Sequence, residues 1–79
     1  MTFDAATARQ ALKDRLGGGP ASVVDLSAQM ALAGCRDDQR YFWARLAVQE
    51  GLRDRVCEIA PANGTTIYRL PAHTPMEKP

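Results

Sequence analysis

Residues 37–52 read DDQRYFWARLAVQEGL and follow the short segment Ala33-Gly34-Cys35-Arg36. The run spaces its apolar residues as a helix does, opens with two carboxylates and closes on Gly51. Acids suit the positive end of a helix dipole, and glycine leaves a helix at little cost. The pattern therefore predicts a helix over 37–51. At about 100° per residue, Phe42, Trp43, Leu46, Ala47 and the stem of Glu50 share one side, the expected core face; Asp37, Tyr41, Ala44, Arg45 and Val48 share the other, the expected outer face.

Two further helices precede it. Residues 4–16, DAATARQALKDRL, are rich in helix formers and set Ala5, Ala8, Leu12 and Leu16 near one face. Asp4 suits the N-cap, and Gly17-Gly18-Gly19-Pro20 ends the helix, because glycine takes a left-handed C-cap and proline cannot continue the ladder. Ser22-Val23-Val24-Asp25 fits a capping box and starts a second helix to about Leu32, with Val23, Leu26 and Met30 inward and Gln29 outward. The Gly-containing segment 33–36 is then the turn between two crossed helices, with Cys35 packed inward.

After Gly51 the period changes from helical to alternating. Residues 55–60 and 65–70 flank Pro61-Ala62-Asn63-Gly64, and Asn-Gly between alternating runs signals a hairpin. Cys57, Ile59, Tyr68 and Leu70 are the set expected to be buried. Residues 71–79 hold three prolines and little to bury, which predicts a tail that does not join the core.

Composition narrows the functional classes. The chain has 79 residues, a net charge of +1, an apolar fraction of 46% and two cysteines. These describe one small globular domain, too poor in cysteine for a disulfide scaffold and without the field of a strongly basic protein. Cys35 and Cys57 read as reduced, buried thiols of a cytoplasmic protein, and neither a membrane-length apolar run nor a signal-peptide pattern is expected. Enzyme chemistry finds no support: the one histidine, His73, lies in the expected tail, and the triple glycine lacks the Lys-Ser/Thr of a phosphate loop. No catalytic residue, cofactor or metal site is expected.

Helix, helix, Gly turn, helix, Gly-Leu and a hairpin ending in Tyr68-Arg69-Leu70 is an α+β order that resembles the winged helix-turn-helix domain of small bacterial and phage DNA-binding regulators. Residues 43–52, WARLAVQEGL, resemble the end of that family's recognition helix, and Ile67-Tyr68-Arg69-Leu70 its returning wing strand. The resemblance covers about residues 4–70, which implies one domain over residues 1–70 with 71–79 as its tail. It implies a transcriptional regulator that reads double-stranded DNA with the helix 37–51 and the wing. Carried over by position, Gln39, Arg40, Tyr41, Ala44 and Arg45 would approach base edges, Ser27 and Gln29 the phosphates, and Arg53, Arg55 and Arg69 the backbone beside the wing. A homodimer is implied as well, since one such module buries little DNA surface.

A second reading keeps the fold and changes the partner. Near-neutral charge and an outer strip of Tyr41, Ala44 and Val48 suit a protein-interaction module, an adaptor or an inhibitor of a host complex.

Overall fold

The computed structural model describes residues 2–60 and 63–71. Its order is α1 (Ala5–Leu16), α2 (Val23–Leu32), a 3-10 turn (Asp37–Gln39), α3 (Arg40–Arg53), β1 (Glu58–Ala60) and β2 (Ile67–Arg69). It is an α+β arrangement of three helices followed by a two-stranded antiparallel hairpin. The turn residues Pro61 and Ala62 and the expected tail from residue 72 lie outside the described residues.

Local capping starts both early helices where the sequence indicates. The Thr7 amide donates to the Asp4 carboxylate at 2.9 Å. At α2 the Asp25 amide donates to the Ser22 hydroxyl and the Ser22 amide donates back to the Asp25 carboxylate, closing the expected capping box. The far ends differ in detail. Gly17 keeps right-handed helical geometry, and the left-handed residue after α1 is Gly19, at φ 130°. The turn out of α2 reverses at Gly34, φ 111°, a conformation that would strain any side chain with a Cβ.

The core lies where α1, α2 and α3 meet, and Leu12, Leu26, Met30 and Ala44 are completely enclosed in it. Burying Leu12, Leu26 or Met30 contributes about 1.5–3 kcal/mol each. On α1 the inward face is Ala8, Ala11, Leu12 and Leu16, so Ala11 takes the place expected of Ala5, which is exposed. Cys35 and Cys57 are unpaired and buried, as expected.

The third helix departs from expectation in its ends and in its facing. Its first three residues form a 3-10 turn, and it runs through Gly51 to Arg53. Gly51 is buried mid-helix: a Cβ there would sit 2.9 Å from Cys57 Sγ and 3.2 Å from Leu12 Cδ2. The glycine is a contact point for α1 and the segment before β1. Chain reversal falls instead to Arg55, at φ 61°. The inward side is Ala44, Ala47, Val48 and Gly51, whereas Phe42 is 60% exposed. Trp43 and Leu46 are half-buried.

The strands pair Glu58 with Arg69, Ile59 with Tyr68 and Ala60 with Ile67. They are shorter than the alternating runs. Ile59 is 59% exposed and Leu70 is exposed, contrary to the expected buried set, while Cys57 and Ala60 are buried and Tyr68 packs on the core. The sequence gives no sign of a third partner, yet Ala21 bridges β2. Its amide donates to the Tyr68 carbonyl at 2.9 Å, and the Tyr68 amide donates back at 2.8 Å.

Gly51→Ala tests the close approach. Helix propensity favours alanine by about 1 kcal/mol, and overpacking costs about 1–3 kcal/mol; a net loss of about 1 kcal/mol is expected in urea unfolding. In a Cys57→Ala background part of that loss should disappear.

Both capping aspartates titrate below the ordinary carboxylate value, Asp4 because it accepts from the Thr7 amide and Asp25 because it accepts from the Ser22 amide. Their folded pKa values lie below the unfolded ones, so their stabilisation is complete above about pH 3.9 and is lost as pH falls below it. Asp4→Asn with Asp25→Asn keeps capping-competent side chains and should lessen the fall of the unfolding midpoint between about pH 4 and pH 2.

Candidate nucleic-acid interface

Because α3 buries Ala44, Ala47, Val48 and Gly51, the side chains left facing outward are fixed. Tyr41, Arg45, Gln49 and Arg53 follow at four-residue intervals and are all exposed, with Phe42 exposed beside them. No acid occurs between Tyr41 and Gln49. The Arg45 guanidinium lies 6.0 Å from the centre of the Tyr41 ring, at the edge of cation–π range. Phe42 meets Trp43 edge-on at 5.4 Å, and Trp43 meets Phe3 in the same manner at 5.2 Å.

Of the nine residues expected at the site, seven are at least partly accessible. Gln39, Arg40, Tyr41, Arg45, Arg53 and Arg55 are exposed, and Arg69 is partly exposed. Ala44 and Val48 are not: at 0% and 4% exposure they belong to the core, so neither reaches a base edge and the expected outer strip of Tyr41, Ala44 and Val48 does not exist. The physical reason is packing. Small residues at i, i+3, i+4 and i+7 let α1 and α2 approach the α3 backbone, which a side built on Phe42 and Trp43 would prevent. Ser27 is likewise enclosed, and its hydroxyl donates to the Val24 carbonyl at 2.6 Å, which removes it as a phosphate contact. Gln29 is half-buried.

Most of the arginines already have carboxylate neighbours. Arg36 pairs with Asp38 at 3.0 Å, Arg40 with Asp37 at 3.3 Å, Arg53 with Asp54 at 3.1 Å and Arg69 with Glu58 at 2.6 Å. Asp54 also receives Arg9 from α1 at 2.8 Å. The Arg53 hydrogen bond, seconded by Arg9, holds the Asp54 carboxyl below its usual range. Among the described residues, Arg45 and Arg55 are the α3-to-hairpin arginines outside any ion pair. Exposed ion pairs contribute about 0–1 kcal/mol, so the paired arginines can exchange a carboxylate for another anion.

Other chemistry is poorly represented. Burial pushes the Cys35 and Cys57 thiols above their usual value, which disfavours the thiolate. Among the described residues no three His, Cys, Asp or Glu side chains come together to hold a metal ion. Nor is any helix among them long and apolar enough to cross a membrane.

The chain matches no family model, no curated protein and no solved structure. Its functional reading therefore rests on its own residues. Of the face expected to be core, Ala47 is buried and Trp43 packs against the core, while Leu46 is half-buried and Phe42 is exposed; exposed Gln49 was not among the expected site residues. The available signal was the small-residue stripe Ala44, Ala47, Val48, Gly51, itself at helical spacing.

Val48→Ser should lower stability by about 2–4 kcal/mol by creating a cavity and burying a hydroxyl. Phe42→Ser should change it by about 1 kcal/mol or less. Urea midpoints of the two variants measure this, and the reverse order would mean that Phe42 packs inside.

Proposed function

We propose that this chain is a small winged-helix DNA-binding protein, a transcriptional regulator that lays the outward face of α3 against duplex DNA with the hairpin alongside. The observation that carries this reading is the row Tyr41, Arg45 and Gln49 on the outward face of α3: the acid at the start of that row, Asp37, pairs with Arg40, and Arg45 has no carboxylate partner among the described residues. Arginine can bind guanine bidentately and glutamine adenine, so two of those groups suit base edges. Arg55, at the turn into the hairpin, and Arg53, at the end of α3, suit the phosphates on either side. The antiparallel hairpin, tied to Ala21 through Tyr68, supports the wing assignment.

The weak overall charge shapes the expected behaviour. With Arg55 outside any ion pair among the described residues and Arg40, Arg53 and Arg69 in exposed or partly exposed pairs, binding should involve about two to four phosphates, giving a slope of roughly −2 to −4 in log affinity against log salt. Such a module binds weakly alone, so two copies on a repeated half-site are the form proposed for the active species.

A protein-interaction module is the second reading. It now rests on α2 in place of the expected α3 strip: Val24 at 67% exposure and Leu32 at 81% flank exposed Ala28 at four-residue spacing. Burial of such an apolar stripe depends little on salt.

Binding to random-sequence duplex at low and moderate salt separates the two readings. For the DNA reading, affinity should fall steeply with salt, and Arg45→Ala should weaken binding to a selected site roughly tenfold. Absence of binding at low salt would reject the regulator, and the stripe on α2 would become the leading surface.

A further inference from the structure

The outward face of α3 contains a shallow concavity of about 330 Å³ lined by Phe42, Arg45, Leu46 and Gln49. Its composition is specific. Phe42 and half-buried Leu46 give it an apolar surface, while Arg45 and Gln49 supply hydrogen-bond donors. Its one charge is positive, and the acids one turn before it, Asp37 and Asp38, are paired with Arg40 and Arg36. Phe42 is also held from one side, because its ring meets Trp43 edge-on at 5.4 Å and Trp43 is in turn braced by Phe3. A large aromatic left 60% exposed, held on one side by Trp43 and lining the same concavity as two donors, is suited to an apolar group that sits beside hydrogen-bond acceptors.

In the major groove that combination occurs at thymine. Its C5-methyl is a small apolar projection, its O4 is an acceptor, and a neighbouring purine offers N7. Backbone phosphates offer acceptors without a methyl, and cytosine offers a donor at the corresponding edge. We propose that Phe42 makes this protein a reader of the thymine methyl group, with Arg45 and Gln49 engaging acceptors on the adjacent bases. The inference rests on the reading that α3 meets duplex DNA, and it assigns to Phe42 a specificity-determining role that basic residues alone would not supply.

The test removes a methyl group and nothing else. A duplex is first selected from a random pool by the purified full chain. Each thymine in the enriched site is then replaced singly by deoxyuridine, and affinities are measured for the wild type and for Phe42→Ala, with urea unfolding confirming that the variant is folded. The wild type should lose about fourfold at one or two positions, the effect of one buried methyl. Phe42→Ala should bind the thymine and uracil duplexes alike at those positions.

Equal wild-type affinity for every uracil duplex would overturn the role of Phe42 while leaving DNA binding intact. So would unchanged methyl discrimination in Phe42→Ala. Failure to enrich any duplex would overturn the underlying reading together with this one, and would leave the concavity to an apolar side chain of a protein partner.

Discussion

The seam of small residues on α3 is the constraint on which the rest of the structure depends. Ala44, Ala47 and Gly51, with Val48 among them, let α1 and α2 close onto the helix, and Gly51 brings Leu12 and Cys57 within contact of its backbone. Protein interiors tolerate few voids, so three short helices in so small a chain gain their core chiefly through such close approach. Leu12, Leu26 and Met30 then fill the space between them completely. Once that side of α3 is inside, Tyr41, Phe42, Arg45 and Gln49 have only solvent or a partner to face.

The same packing positions the hairpin. Gly51 carries the helix past the point where a glycine commonly stops one, and the reversal passes to Arg55 in the left-handed region. A non-glycine residue there is held against a steric cost of order 1 kcal/mol or more. Two amides hold the segment that follows, since Val56 and Cys57 both donate to the Gly51 carbonyl. Ala21 and Tyr68 exchange hydrogen bonds, so β2 is tied to the link between α1 and α2. A two-stranded hairpin is marginal alone, and this attachment, with Tyr68 on the core, fixes it relative to α3.

Electrostatics divide the surface more finely than a net charge of +1 suggests. Asp37, Asp38, Asp54 and Glu58 each lie beside an arginine, so much of the positive charge is locally compensated. Arg45 stands apart, within reach of Tyr41 and outside any ion pair among the described residues. A protein with this pattern attracts polyanions weakly at long range and depends on contacts at short range for any selectivity. That is why the proposed recognition is assigned to a few side chains on one helix and not to a broad basic field.

Local structure is legible in the residues alone: the Asp4 cap, the Ser22–Asp25 capping box, three helices in order and the hairpin after them. The caps and helix starts are set by interactions within a few residues along the chain and the hairpin by its alternating strands, and the structure contains each of them. Tertiary structure decided the facing of α3, the passage of that helix through Gly51 and the bridge at Ala21. Helical periodicity offered two overlapping stripes, one bulky at Phe42 and Trp43 and one small at Ala44, Ala47, Val48 and Gly51. Hydrophobic bulk favours the first, and only the surfaces of α1 and α2, built from Ala8, Ala11, Leu12 and Met30, favour the second. Burial depends on complementarity between elements distant in sequence, and that selected the face left open for function.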